Sequence, residues 1–337
     1  MKRRKVTVAV LSVVLAAAAL TGCGSAQQTN GPKKTRVVLN EVAHSIFYAP
    51  MYVAIEEGYF EEEGLDLTLV TGFGADKVLT ALISGEADIG FMGAEASIYA
   101  CQEGATDPAV NFAQLTQRAG NFLVAREEMP DFKWEDLKGK KVLGGRKGGM
   151  PEMVLEYVLK QKNLEIGKDV EIINNISFES TAGAFSADTG DYTVEFEPTA
   201  SALEKSGKGY VVASLGKESG YVPYTVYMAR KSYIADNADI IQKFTNAIYK
   251  AQLWTDSHTS EEIAETIASF FTESDKETLT KIVERYKSQD TWKTNPIFEE
   301  SSLNLIEDIM ENGNELEKRV PYSDLITTDF AEKAVKD

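Results

Sequence analysis

The chain has 337 residues, of which 26% are charged and 43% hydrophobic, and its 52 acidic against 35 basic side chains give a formal net charge of −17. So acidic a surface repels nucleic acid and anionic lipid, which excludes both as expected partners. The two histidines, His44 and His258, lie far apart and no cysteine pair has ligand spacing, so neither a zinc site nor any other cofactor is expected.

The chain opens with "MKRRK", an apolar run from Val6 to Leu20, then "LTGC". A cationic head before an apolar core too short to span a bilayer predicts an export signal over residues 1–22. "LTGC" looks like a bacterial lipobox, so Cys23 is expected to be acylated and to anchor the protein outside the cytoplasm, on the cell membrane. Residues 23–35, rich in Gly, Ser, Gln and Asn, predict a flexible tether. Loss of the signal makes the remainder four charges more negative and leaves Cys101 as the last free thiol, with no disulfide partner. The remaining chain is long enough for two lobes rather than one core.

In chain order, "RVVLN" predicts a strand. Met51, Ala54, Ile55 and Gly58 in "MYVAIEEG" fall on one helical face, with Pro50 suited to the first turn and Gly58 to the stop. "GLDLTLV" alternates as a strand, "GADKVLTALISG" reads as a helix, "ADIGF" as a strand, "GAEASIYACQEG" as a helix and "AVNFAQL" as a strand. After "NFLVA" the pattern restarts with strand "KKVLGG", helix "MPEMVLEYVLKQKN" and strand "DVEIINN". A helix around "STAGAFSA" precedes strand "DYTVEF", helix "EPTASALEKSG", strand "YVVASL" and a return strand "YTVYMAR". From Asp239 the periodicity is helical. Alternation of this kind predicts an α/β fold with mostly parallel sheets. Lobe 1 is expected over 36–124 plus 228–337 and lobe 2 over 125–227, with a cleft between them and a helical C-terminal tail.

Ligands of open α/β sheets sit beyond the carboxyl ends of the strands. "SGEADIGFMGAEA" and "TGDYTVEFEPTA" echo each other as Gly, acid, apolar strand and acidic turn, and so predict one cleft-facing turn per lobe, at Glu95 and Glu197. Carboxylates there favour a ligand bearing an amine or aminopyrimidine group, the stronger expectation resting on Glu197; the alternatives are a helix-start charge at Glu95 and a surface acid at Glu197. In "GGRKGGMP", Gly148, Gly149 and Met150 open a helix and form either an anion seat or a plain tight turn. Phe73 in "GFGADK" lines or lids the cleft, and Gln117 stands near the first crossing.

"HSIFYAPMYVAIEEGYFEEEGLDLTL", "GADKVLTALISGEADIGFMG", "LKGKKVLGGRKGGMPEMVLEYVL" and "FEPTA" resemble the solute-binding proteins of transporters for sulfonates, nitrate and thiamine-pyrimidine precursors. The resemblance runs from about Val37 to Trp254. It implies a type II periplasmic-binding fold, a monomer whose lobes close on a small molecule and deliver it to a membrane permease with a separate ATPase subunit. Asn40, His44, Tyr48 and Tyr224 join the expected contacts; His44 is expected to touch ligand, the alternative being a helix cap. The favoured ligand is a nitrogen heterocycle such as a thiamine pyrimidine precursor, the alternative an alkyl sulfonate, nitrate or other small anion. A pyrimidine synthase of fungal thiamine biosynthesis is similar to this family, but its cysteine-rich iron motif has no counterpart here, and no nucleophile–His–acid set or P-loop supports catalysis.

Overall fold

A computed structural model describes residues 34–336. The expected signal peptide, Cys23 and all but the last two residues of the expected tether lie outside the described residues. No helix among the described residues is long and apolar enough to cross a membrane.

Ten strands follow in chain order: β1 (Thr35–Glu41), β2 (Leu65–Thr71), β3 (Ile89–Met92), β4 (Ala109–Thr116), β5 (Phe122–Ala125), β6 (Lys140–Leu143), β7 (Val170–Ile173), β8 (Tyr192–Glu195), β9 (Tyr210–Ser214) and β10 (Thr225–Arg230). They form two five-stranded sheets, β2-β1-β3-β10-β4 and β7-β6-β8-β5-β9. Each sheet is parallel except for its fourth strand, β10 or β5, which pairs antiparallel on both sides. Those two odd strands are the ones that arrive from the other sheet. β3 and β8 occupy equivalent third places, so the two echoing segments are structurally equivalent.

The helices end where the sequence signals say. Gly58 at φ +72° and Gly85 at φ +83° take the left-handed conformation that ends their helices, Gly58 ahead of the short helix Tyr59–Glu62 and Gly85 ahead of β3. The boundary between lobes is displaced from the sequence expectation. Residues 122–124, assigned by pattern to lobe 1, pair with β8 and β9 and so belong to the second sheet, while Thr225 and Val226 already pair in the first. A four-residue run buried on both faces carries no alternation to say which sheet takes it.

The two crossings, residues 117–121 and 215–224, touch each other. Leu215 N–H donates to Asn121 O at 3.1 Å, and a Cβ placed on Gly216 would lie 2.1 Å from Ala119 O, so only glycine allows this approach. The tail spans both lobes. Helix Ala238–Ser257 covers the first sheet, and a strap from Thr291 to Pro296 bonds along the open edge of β4 through Gln117 N to Thr291 O, Lys293 N to Leu115 O and Gln114 N to Pro296 O. The strap satisfies an edge that would otherwise invite a foreign strand.

Candidate functional site

An aromatic box forms where the strand ends of the two sheets meet. Ile46–Tyr48 is a single tight turn after β1, started by Ser45 Oγ accepting from Phe47 N–H. It drives Phe47 into the space between the lobes. There the Phe47 ring lies 5.3 Å from Tyr48, 5.3 Å from Phe196 of lobe 2, 5.6 Å from Tyr224 of the second crossing and 5.5 Å from Tyr286 of the tail. Phe91 closes on Tyr48 at 4.6 Å, and Phe178 on Phe196 at 5.2 Å. Among the hydrogen bonds that join the lobes are Ser45 Oγ to Glu197 O at 2.6 Å and Tyr99 OH to Gly148 O at 3.1 Å.

Beside this box sits Glu95, buried at the start of helix Glu95–Gln102, with Oε2 lacking any hydrogen-bond partner. Burial pushes its carboxyl up to about 7, offset in part by its own backbone N–H and by the charge of Arg146. The Glu95 charge in turn adds to burial in raising the phenols of Tyr99 and Tyr224 and, after burial and Glu41, that of Tyr48. The Tyr224 hydroxyl is also buried and unpartnered. A carboxyl poised near neutrality and a free phenol, framed by aromatic rings, are what an amine-bearing flat molecule needs: faces to stack on, one acceptor-donor group and one hydroxyl.

Glu197 is equally buried but differently placed. Its Oε1 is paired with Arg285, which also holds Glu204 at 3.0 Å, and its Oε2 accepts from Ser201 N–H at 2.9 Å. The free acid expected there is instead a satisfied cross-brace to helix Lys276–Ser288. Arg285 lies far away in sequence, so no local pattern announces the pair.

The glycine turn is also occupied. Gly148 takes φ +75°, and its N–H donates to Glu152 Oε2 at 3.3 Å, while Lys147 stands 3.6–3.8 Å from Glu152, Glu156 and Glu315. The anion seat is filled by the protein's own carboxylate, with Gly149 as N-cap and Met150 buried in the first turn. Asn40 is buried, its Oδ1 without a partner. Phe73 is 57% exposed on its loop, away from the box. Gln117 turns to the tail, reaching Asp290 O and Trp292 O. Sequence reading missed Asn121, fully buried at the mouth of β5 with neither amide atom bonded; an asparagine beside a crossing glycine carries no signal of its own.

The family described as "NMT1/THI5 like" matches residues 46–261. The chain belongs to the NMT1/THI5-like family. YtlA of Bacillus subtilis (strain 168), named as a binding protein, is 48% identical over 303 residues, covering 90% of this chain and 91% of that protein. Two solved structures share the fold at low identity. The alkanesulfonate-binding protein SsuA from Xanthomonas axonopodis pv. citri, bound to MOPS, matches at TM-score 0.69 and 18% identity, over 88% of this chain and 99% of its own. The nitrate-binding protein NrtA from Synechocystis PCC 6803 matches at 0.72 and 16%, over 91% and 90%. This NMT1/THI5-like chain therefore has the periplasmic-binding-protein fold that the sequence resemblance implied.

In this family member the His44 side chain is 37% exposed, and both ring nitrogens meet protein groups. Nδ1 lies 3.1 Å from Glu41 Oε1, Nε2 lies 2.8 Å from Phe270 O, and the ring stacks on Phe271 at 4.8 Å. Glu41 is fully buried and also accepts from Tyr52 OH at 2.6 Å and Thr71 Oγ1 at 2.8 Å. Two acceptors on one imidazole call for two N–H donors, which is the cation. The hydrogen bond to Glu41 raises the His44 pKa, burial lowers it, and the Phe270 carbonyl raises it again, for a net rise. These contacts make His44 a clamp that ties the β1 loop to the tail.

A His whose folded pKa is raised contributes stability fully present below its unfolded value, near pH 6.5, and lost as pH rises through the folded value. Urea midpoints of the parent should therefore fall between about pH 6 and about pH 8.5 by more than those of His44→Gln, which lacks the titrating clamp. Equal pH slopes in the two proteins would show that the imidazole holds nothing.

Proposed function

We propose that this chain is the extracytoplasmic solute-binding component of an ATP-driven importer. Its solute is a small nitrogen heterocycle carrying an amino group, the chemistry of a thiamine pyrimidine precursor. The observation that carries the ligand class is Glu95, a buried carboxyl without a partner, poised near pH 7 beside the aromatic box. Family membership and the binding-protein relatives support the transport role. The occupied glycine turn argues against a small anion held at that helix start.

The mechanism follows from the contacts. Phe47 and Phe196 meet directly across the cleft, so a flat ligand gains access only when the lobes part about the two crossings. Closing would stack it among the rings, and the closed form is the one that docks on a permease whose ATPase is a separate subunit. Protonated Glu95 would donate to a ring nitrogen while its carbonyl oxygen accepts from the exocyclic amine, a two-point match that keeps the shared proton. The ligand is captured and released unchanged by a single copy of the chain.

A thermal-shift screen followed by calorimetry tests this, using 4-amino-5-hydroxymethyl-2-methylpyrimidine against MOPS, nitrate and amino acids. The two hydrogen bonds of the neutral carboxyl contribute about 0.5–1.5 kcal/mol each, so Glu95→Ala should weaken the pyrimidine about five- to a hundredfold, Glu95→Gln should keep most of the affinity but lose its pH dependence, and Glu197→Gln, which only breaks the Arg285 brace, should cost stability instead. Affinity for the parent should be full below about pH 7 and decline above it as Glu95 loses its proton. Preferential binding of MOPS or nitrate, strengthened by Glu95→Gln, would overturn the heterocycle reading.

The lipid anchor is part of the same proposal. A diacylglycerol on Cys23 buries two chains at about 0.8 kcal/mol per CH₂, enough for stable attachment. Cys23→Ala should shift the protein from the membrane fraction to the soluble one; unchanged fractionation would remove the anchor from the account.

A further inference from the structure

A recess of about 350 Å3 opens beside the hinge and shares no lining residue with the aromatic box. Its walls come from three separate parts of the chain: Gln114 and Gln117 at the end of β4 and the first crossing, Tyr221 of the second crossing, and the strap with the start of helix Glu300–Asn312. Lys293 lies within it. Its backbone N–H is pinned to Leu115 O at 3.0 Å and its side chain is 8% exposed.

Lysines normally run their ammonium out to water along the surface. Lys293 has its backbone held by the strap, its ammonium keeps some contact with solvent, and among the described residues that ammonium makes no hydrogen bond or ion pair. Burial lowers its pKa, against an opposing effect of the Glu299 charge. Gln114 lines the same recess with a buried, unpartnered Oε1. The helix beginning at Glu300 adds the hydroxyls of Ser301 and Ser302, and Leu305 supplies an apolar wall. A partly desolvated ammonium beside polar groups and one apolar wall is an incomplete ion pair.

We propose that this recess is a second ligand site, independent of the cleft, that takes a short-chain monocarboxylate with its carboxylate on Lys293 and its alkyl chain on Leu305. Glu299 also lines the recess, so the single ammonium can meet at most one further negative charge. A dianion such as phosphate would set its second charge against Glu299 with no cation to meet it. The volume lies at the small end of ligand pockets, which suits an acid of a few carbons. Because the walls belong to both crossings and to a helix tied to lobe 2 by Lys160 Nζ to Asn312 Oδ1 at 2.6 Å, occupancy is coupled to lobe closure. Coupling of that kind is reciprocal: the acid and the cleft ligand change each other's affinity by the same factor.

Butyrate is the probe, titrated into the mature chain while amide NMR signals of Tyr221, Lys293 and Ser301 are followed. The expected result is a saturable shift, weaker or absent with inorganic phosphate, abolished in Lys293→Met and retained in Glu95→Ala, which separates this site from the cleft. Ser302→Asp, which places a negative charge in the recess without touching the strap, should also abolish it and covers the case in which Lys293→Met does not fold. No saturable response to butyrate, a response that survives both recess variants, one lost in Glu95→Ala, or tighter binding of phosphate would each overturn the proposal.

Discussion

A carboxyl group enclosed with an oxygen unpartnered costs free energy that only a proton, a ligand or water can relieve, and Glu95 is held in that condition by the whole fold. Sheet order puts β3 in the middle of the first sheet, so the turn that follows it opens onto the gap between lobes. The tight turn at Ile46–Tyr48 then sets Phe47 and Tyr48 beside it, and Phe196 and Tyr224 arrive from the other lobe and the second crossing. Desolvation raises the carboxyl to about 7. The native state thus keeps a proton between roughly pH 4.5 and 7 that the unfolded chain has lost, so stability falls with rising pH across that window, by up to about 3 kcal/mol. On the proposed function, a ligand that shares the proton relieves this cost when it binds.

The equivalent acid in lobe 2 shows the other outcome of burial. Glu197 meets Arg285 and Ser201, and the pair braces lobe 2 to the tail helix Lys276–Ser288. Tyr286 on the same helix accepts from Glu197 N–H at 3.1 Å and donates to Gly120 O at 3.0 Å, linking brace, box and first crossing. Trp292 Nε1 donates to Phe47 O at 2.8 Å from the strap. The C-terminal tail therefore ties lobe 2, the box and the first crossing together.

Much of this was legible in the sequence because it is local. Alternation in "GLDLTLV", the one-sided apolar spacing of "MYVAIEEG" and the glycine stops fix elements within a few residues of themselves. The echo of "ADIGFMGAE" and "DYTVEFE" reached further, marking two structurally equivalent turns. What stayed hidden depends on partners distant in the chain. "FLVA" is apolar on both faces and takes its sheet from strands about 70 to 90 residues later. Which of the two echoing acids is free turned on Arg285, and the role of His44 turned on Phe270 and Phe271. The sequence weighting of Glu197 over Glu95 is reversed for that reason alone.

The most direct measurement is the carboxyl titration of Glu95 itself, followed by ¹³C NMR of the side chain with and without the aminopyrimidine. The account predicts a midpoint near 7 in the free protein, moved or abolished when ligand occupies the box, and no corresponding change at Glu197. A midpoint at the ordinary glutamate value, indifferent to ligand, would contradict it.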